Sequence, residues 1–212
     1  MTHTRIKICG ITNEDDALAT ARLRVDFLGF VFYPPSPRYV EPERVGVIAQ
    51  KVRDALGEAA PRFIGVFVDE SAERVEAIRR TAGLDGVQFC GDETPETVRA
   101  CAPLRIRTLS LQTLDRLGRF DVDAYLCDTH APEQKGGTGQ AYDYEQLRPW
   151  LDRYRIIVAG GLTPETVGPV VASLRPWGVD VSSALESAPG HKDPDRVRAF
   201  VEAVRRADAE RA

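Results

Sequence analysis

An unbroken alternation of short β-rich runs with longer helical patterns predicts an α/β fold: a (β/α)8 TIM barrel, one domain spanning residues 1–212. Two further observations point the same way. The chain holds eight such units in 212 residues, close to the lower limit of roughly 200 residues for this fold. No GxGxxG turn follows the first strand, which weighs against an open doubly wound sheet. Consecutive units of this kind imply parallel strands joined by right-handed crossovers.

The units run in order. Strand RIKIC precedes the helical NEDDALATARL, and DFLGFVF precedes PERVGVIAQKVRDAL. RFIGVFV with SAERVEAIRRTA and GVQF with PETVRACA form the third and fourth units. LRIRTLS is followed by a short, weak pattern, QTLDRLG, and AYLCD by DYEQLRPWLDR. RIIVAG with PETVGPVVASL and GVDVSS with DPDRVRAFVEAVRRA complete the series. Helix starts support the count. Ser71 stands before AERV, and TPETV occurs at Thr94 and again at Thr163. In each TPETV the Thr suits an N-cap and the Pro the first turn.

Bulk properties narrow the function. Apolar residues make up 43% of the chain and charged residues 28%, the balance of an ordinary globular protein. A net charge of -4 leaves no basic footprint, so nucleic acid is not an expected partner. No apolar run reaches the ~18 residues of a membrane span, and MTHTRIK passes into a strand without the apolar core of a secretory signal. Cys9, Cys90, Cys101 and Cys127 lack zinc-ligand spacing, and His3, His130 and His191 are dispersed. The expectation is a cytoplasmic protein with reduced thiols, no metal site and no obligate protein partner.

In a barrel of this class, chemistry belongs at the C-terminal ends of the strands. Cys9 follows the first strand, Arg38 the second, and Asp128 ends the sixth. Glycine-rich turns, KGGTG and AGG, follow strands six and seven, and Ser182 and Ser183 end strand eight. Each has an ordinary explanation alone: a buried Cys, a turn Asp, a flexible loop, a solvated Arg. Their shared location points to a site. AGGLTPE places two glycines between a buried strand and a helix start, where free backbone N–H groups can hold a phosphate. Pro34, Pro35 and Pro37 stiffen the loop that carries Arg38, so its guanidinium can be aimed at a carboxylate.

KICGIT, GFVFYPPSPRYV, GVFV, Asp128, GGTG, AGGLTPETV and GVDVSSALESAPGHKD occur in that order over nearly the whole chain. Together they resemble the phosphoribosylanthranilate isomerase family of tryptophan biosynthesis. The resemblance implies an Amadori rearrangement without cofactor or metal. It also implies roles: Cys9 as general base, Asp128 as general acid, and Arg38 on the anthranilate carboxylate. Gly160 and Gly161 with Ser182 and Ser183, and Gly137 and Gly139 of KGGTG, form the implied phosphate region. Asp128 must hold a proton, which burial favours, and Cys9 must lose one, which needs a nearby positive potential. The rivals are a related barrel sugar-phosphate isomerase of the histidine-pathway type, which uses paired aspartates, and a catalytically silent phosphate-binding barrel.

Two stretches depart from the family pattern: VQFCG stands for VQLHG, with Phe89 and Cys90 in place of Leu and His, and Ala184 replaces a Gly, which matters if that Gly needs positive φ. Cys90 is expected at the mouth, reactive, and Cys127 turned to the helix layer. Alternation adds one more pair. If Cys9 points inward, so does Lys7, and Asp180 on the closing strand is its expected partner.

Overall fold

A computed structural model describes residues 3–101, 104–128 and 144–210. Among them, eight parallel strands close into a ring in chain order. They are β1 (Arg5–Ile8), β2 (Phe27–Val31), β3 (Arg62–Phe67), β4 (Gly86–Phe89), β5 (Arg105–Ser110), β6 (Ala124–Asp128), β7 (Ile156–Ala159) and β8 (Gly178–Val181). Helices α1 (Glu14–Arg22), α2 (Pro42–Leu56), α3 (Ala72–Thr81), α4 (Pro95–Arg99), α5 (Val167–Leu174) and α6 (Pro194–Ala209) pack outside. None of these helices is long and apolar enough to cross a membrane.

Period-two alternation divides the strands between two cores. Phe27, Ile64, Ile106, Ala124, Leu126, Ile157 and Ala159 fill the ring. Their strand neighbours, among them Leu28, Phe63, Tyr125, Cys127 and Val158, join the larger core under the helices. Ile106 is fully buried, and Ile106→Ala would cost about 2–5 kcal/mol through lost burial and the cavity left behind. The helices supply the matching stripe: α2 buries Val45, Ile48, Ala49 and Val52, and α6 buries Val197, Phe200, Val201 and Val204. Asn13, Ser71, Thr94 and Asp193 each accept a backbone N–H at a helix start.

Four expected helices differ. In the second TPETV, Thr163 accepts from Glu165 N and Thr166 N, so it caps a turn and not the helix. Helix α5 starts at Val167, which puts Pro169 in the first turn, where no N–H is needed. An α-helix from residue 164 would have required that missing donor. The run Tyr144–Trp150 is 3-10 rather than α, with Pro149 inside it for the same reason. The weak QTLDRLG pattern becomes a 3-10 stretch, Leu111–Arg116, kinked at Thr113. Helix α4 also stops early, at Arg99.

An unexpected antiparallel hairpin follows β8: β9 (Glu186–Ala188) and β10 (His191–Lys192), turning at Gly190 with φ +80°. Gly137, Gly139 and His130 lie outside the described residues.

Candidate active site

The strand ends assemble the site from both ends of the chain. Cys9, one residue past β1, donates its N–H to Val181 O at 2.9 Å, tying it to β8. Gly10 then turns the chain at φ +76°. A Cβ there would lie 2.6 Å from Arg38 Cδ and 2.8 Å from Ser182 Oγ, so only glycine lets these two side chains close over the turn. Gly29 on β2 makes room on the other side. A Cβ at Gly29 would meet Cys9 Sγ at 2.7 Å and Lys7 Nζ at 3.1 Å.

Lys7 is 1% exposed and sits directly opposite Asp180 in the β1–β8 register. Its Nζ donates to Asp180 Oδ1 at 2.8 Å. Burial alone would pull the ammonium toward neutrality. The attraction and hydrogen bond of Asp180, with a further contribution from Cys9, outweigh it and hold Lys7 above its ordinary value. The thiol of Cys9 therefore has a buried, charged ammonium beside it.

Asp128 ends β6 with the inward parity of Ala124 and Leu126. Together with Gly160, Gly161, Asp180, Ser182 and Ser183 it lines a cleft of about 300 Å³. Asp180 thus faces this cleft while holding Lys7. Gly160 and Gly161 have φ of +83° and +68°, successive left-handed residues that glycine alone adopts without strain. Tyr144 Oη fixes the turn by donating to Gly160 O at 2.6 Å. Ala184 lies in a 3-10 turn, Ser183–Leu185, and is not among the described residues with positive φ, so the alanine fits its position.

Arg38 stands beside Gly10 and Ser182, but its fork is already engaged. Nε donates to Glu186 Oε1 at 2.8 Å and Nη2 to Glu186 Oε2 at 2.6 Å. Lys192, 5% exposed, donates to the same Glu186 Oε1 at 2.9 Å. Burial opposes charging of Glu186, yet the hydrogen bonds from Arg38 and Lys192 hold its carboxyl below the usual range. Sequence reasoning missed Glu186, Lys192 and Gly29. The only trace in the sequence is a Glu and a Lys six residues apart around SAPGH, with no period to mark them.

Cys90 lies one residue past β4 and is half-buried. Its thiol is hydrogen-bonded to Gln88 Nε2 at 3.3 Å and to Thr108 Oγ1 at 3.2 Å, and burial pushes it up to about 11. Burial likewise pushes Cys101 to about 11 and Cys127, in the outer core, to about 12. Among the described residues, no three of His, Cys, Asp and Glu gather as metal ligands.

The family model for N-(5'-phosphoribosyl)anthranilate (PRA) isomerase matches residues 6–203 of the chain. An N-(5'-phosphoribosyl)anthranilate isomerase of Syntrophus aciditrophicus is 42% identical over 209 residues, covering 96% of this chain and 88% of that one. The crystal structure of phosphoribosyl anthranilate isomerase from Thermotoga maritima superposes with a TM-score of 0.84 at 35% identity, over 95% of this chain and 98% of that one. A structure of the isomerase in complex with reduced 1-(o-carboxyphenylamino)-1-deoxyribulose 5-phosphate gives a TM-score of 0.81 at 33% identity, over 95% and 98% of the two chains.

Proposed function

The chain belongs to the N-(5'-phosphoribosyl)anthranilate isomerase family of tryptophan biosynthesis, and from that premise we propose that Cys9 and Asp128 carry the proton transfers of its reaction. The enzyme converts N-(5'-phosphoribosyl)anthranilate, an aldose derivative, into 1-(2-carboxyphenylamino)-1-deoxyribulose 5-phosphate, a ketose. Asp128 gives its proton to the ribose ring oxygen as the C1'–O bond breaks, and the anilino nitrogen supplies the electrons that form the Schiff base. Cys9, as thiolate, then takes the C2' proton, and the electrons move into a C1'–C2' double bond to give an enolamine. Loss of the C2' hydroxyl proton and gain of one at C1' completes the ketose.

The observation that carries this reading is the Lys7 ammonium, fixed by Asp180 next to Cys9, beside a cleft that ends in Asp128 and the two left-handed glycines. Lys7 favours the thiolate by charge attraction. The phosphate is assigned to the backbone around Gly160 and Gly161 and to Ser182 and Ser183. Arg38 is assigned to the anthranilate carboxylate. Each proton transfer is worth ~10²–10⁴-fold. The four free cysteines suit a reducing compartment, and the cytoplasm is the proposed location.

The test is incubation with freshly made phosphoribosylanthranilate while its fluorescence is followed. The wild type should consume it, and Cys9→Ser and Asp128→Asn should each lower kcat by about two orders of magnitude or more at near-native Tm. A Cys9→Ser enzyme with normal kcat would remove Cys9 as the base.

A further inference from the structure

The β9–β10 hairpin carries two charged residues that the assigned chemistry leaves without a role. Glu186 and Lys192 have side chains only 4% and 1% exposed, buried within a hairpin of three- and two-residue strands. Lys192 Nζ spends a second donor on Ser182 O, at 3.1 Å, in the phosphate region. Arg196 Nη1 donates to Glu186 O at 2.8 Å, and Lys192 N donates to Asp16 Oδ2 at 2.8 Å, so backbone bonds fix both residues. Thr12 ties the turn by donating to Gly190 O.

The cluster joins two cations and one carboxylate, leaving one positive charge uncompensated in a nearly closed place. An incoming carboxylate would neutralise it. The guanidinium is planar and presents its donors in a rigid fork. With Nε and Nη2 turned to Glu186, the Nη1 edge is the one left for substrate. Lys192 Nζ sits on Ser182 O, one residue beyond the Val181 carbonyl that accepts from Cys9 N, which brings a second ammonium to the turn that carries the thiol.

We propose that Glu186 and Lys192 are positioning residues for the isomerisation: Glu186 sets the plane of Arg38 for the substrate carboxylate, and Lys192 completes the positive surroundings of the Cys9 thiolate. This rests on the assignment of Arg38 to that carboxylate and of Cys9 to the base. A hairpin that merely tied the loop down would need neither the two-pronged contact on Arg38 nor a buried cation on the Ser182 carbonyl beside the Cys9–Gly10 turn.

Glu186→Asp keeps the charge but withdraws the carboxylate by one methylene. It should raise KM about tenfold or more while kcat stays within about threefold, because ground-state binding is lost and the proton transfers are not. Lys192→Met should shift the pH profile of Cys9 alkylation by iodoacetamide upward by about one unit, with Lys192→Arg restoring it. If Glu186→Asp fails to fold, Glu186→Gln combined with Lys192→Met preserves the net charge of the cluster and must still raise KM, because Arg38 loses its carboxylate partner; if Lys192→Met fails to fold, Lys192→Gln replaces it for the alkylation profile. An unchanged KM in Glu186→Asp, or an unshifted profile in Lys192→Met, would overturn the proposal. Arg38→Ala separates the layers. Unchanged KM there removes Arg38 from the carboxylate, whereas raised KM there with normal KM in Glu186→Asp removes only the role of Glu186.

Discussion

Lys7 and Asp180 are 173 residues apart in sequence and 2.8 Å apart in space. Their pairing was legible because a strand alternates faces, so an inward Cys9 obliges an inward Lys7, and a buried ammonium obliges a partner. Lys7→Met and Asp180→Asn should each destabilise the protein by about 3–5 kcal/mol, and the double variant by less than their sum, in urea unfolding. The raised value of Lys7 fixes the pH window. Its contribution is complete below the unfolded value of 10.5 and fades as pH rises through the higher folded value, so the deficit should be flat around neutrality. Gly29 was not legible, since a glycine inside a β-rich run carries no mark of what leans against it. Gly29→Ala should push the thiol and the ammonium aside and lower kcat by about tenfold or more. The remaining thiols give a cleaner outcome: with Cys90, Cys101 and Cys127 pushed to about 11, 11 and 12 by burial, native alkylation near pH 8 should label Cys9 alone and be blocked by substrate. Mass spectrometry of the labelled peptides decides it.

At the scale of the element, caps and prolines determined what could be read. Ser71 and Thr94 cap the helices they were read to start, Asp193 does the same for α6, and each accepts a backbone N–H that no preceding helical carbonyl could serve. Ser71→Ala and Asp193→Ala should each cost about 1 kcal/mol in chemical denaturation, with the Asp193 change the larger because it releases two donors. The sixth and seventh helical patterns misled because apolar spacing does not register a missing donor. Pro149 and Pro169 override the periodicity around them. The hairpin was illegible for another reason. Strands of three and two residues with an irregular pairing are too short to show alternation.

For the whole molecule, strand number and order were legible, because eight alternating units leave few ways to bury both faces of a parallel sheet. The electrostatic bracing of its mouth was not, since Arg38 lies 148 residues before Glu186, which shares its short hairpin with Lys192. Glu186 titrates below the usual range, so its stabilising contribution is complete above 4.5 and is lost as pH falls through its folded value. Glu186→Gln should therefore be less stable than wild type at pH 7, and the gap should narrow on acidification, as measured by urea midpoints at each pH.

The seam between β1 and β8 also has a meaning in time. A ribosome delivers Lys7 and Cys9 among the first residues of this barrel and Asp180, Ser182 and Glu186 among the last. Until the eighth strand emerges, the ring stands open and the lysine has no carboxylate to meet, so the nascent chain cannot own a finished site however much of it has already folded. Chains released before residue 178 should be inactive, and adding the missing C-terminal segment in trans should restore turnover. Activity in such a truncated chain by itself would show that the seam is dispensable.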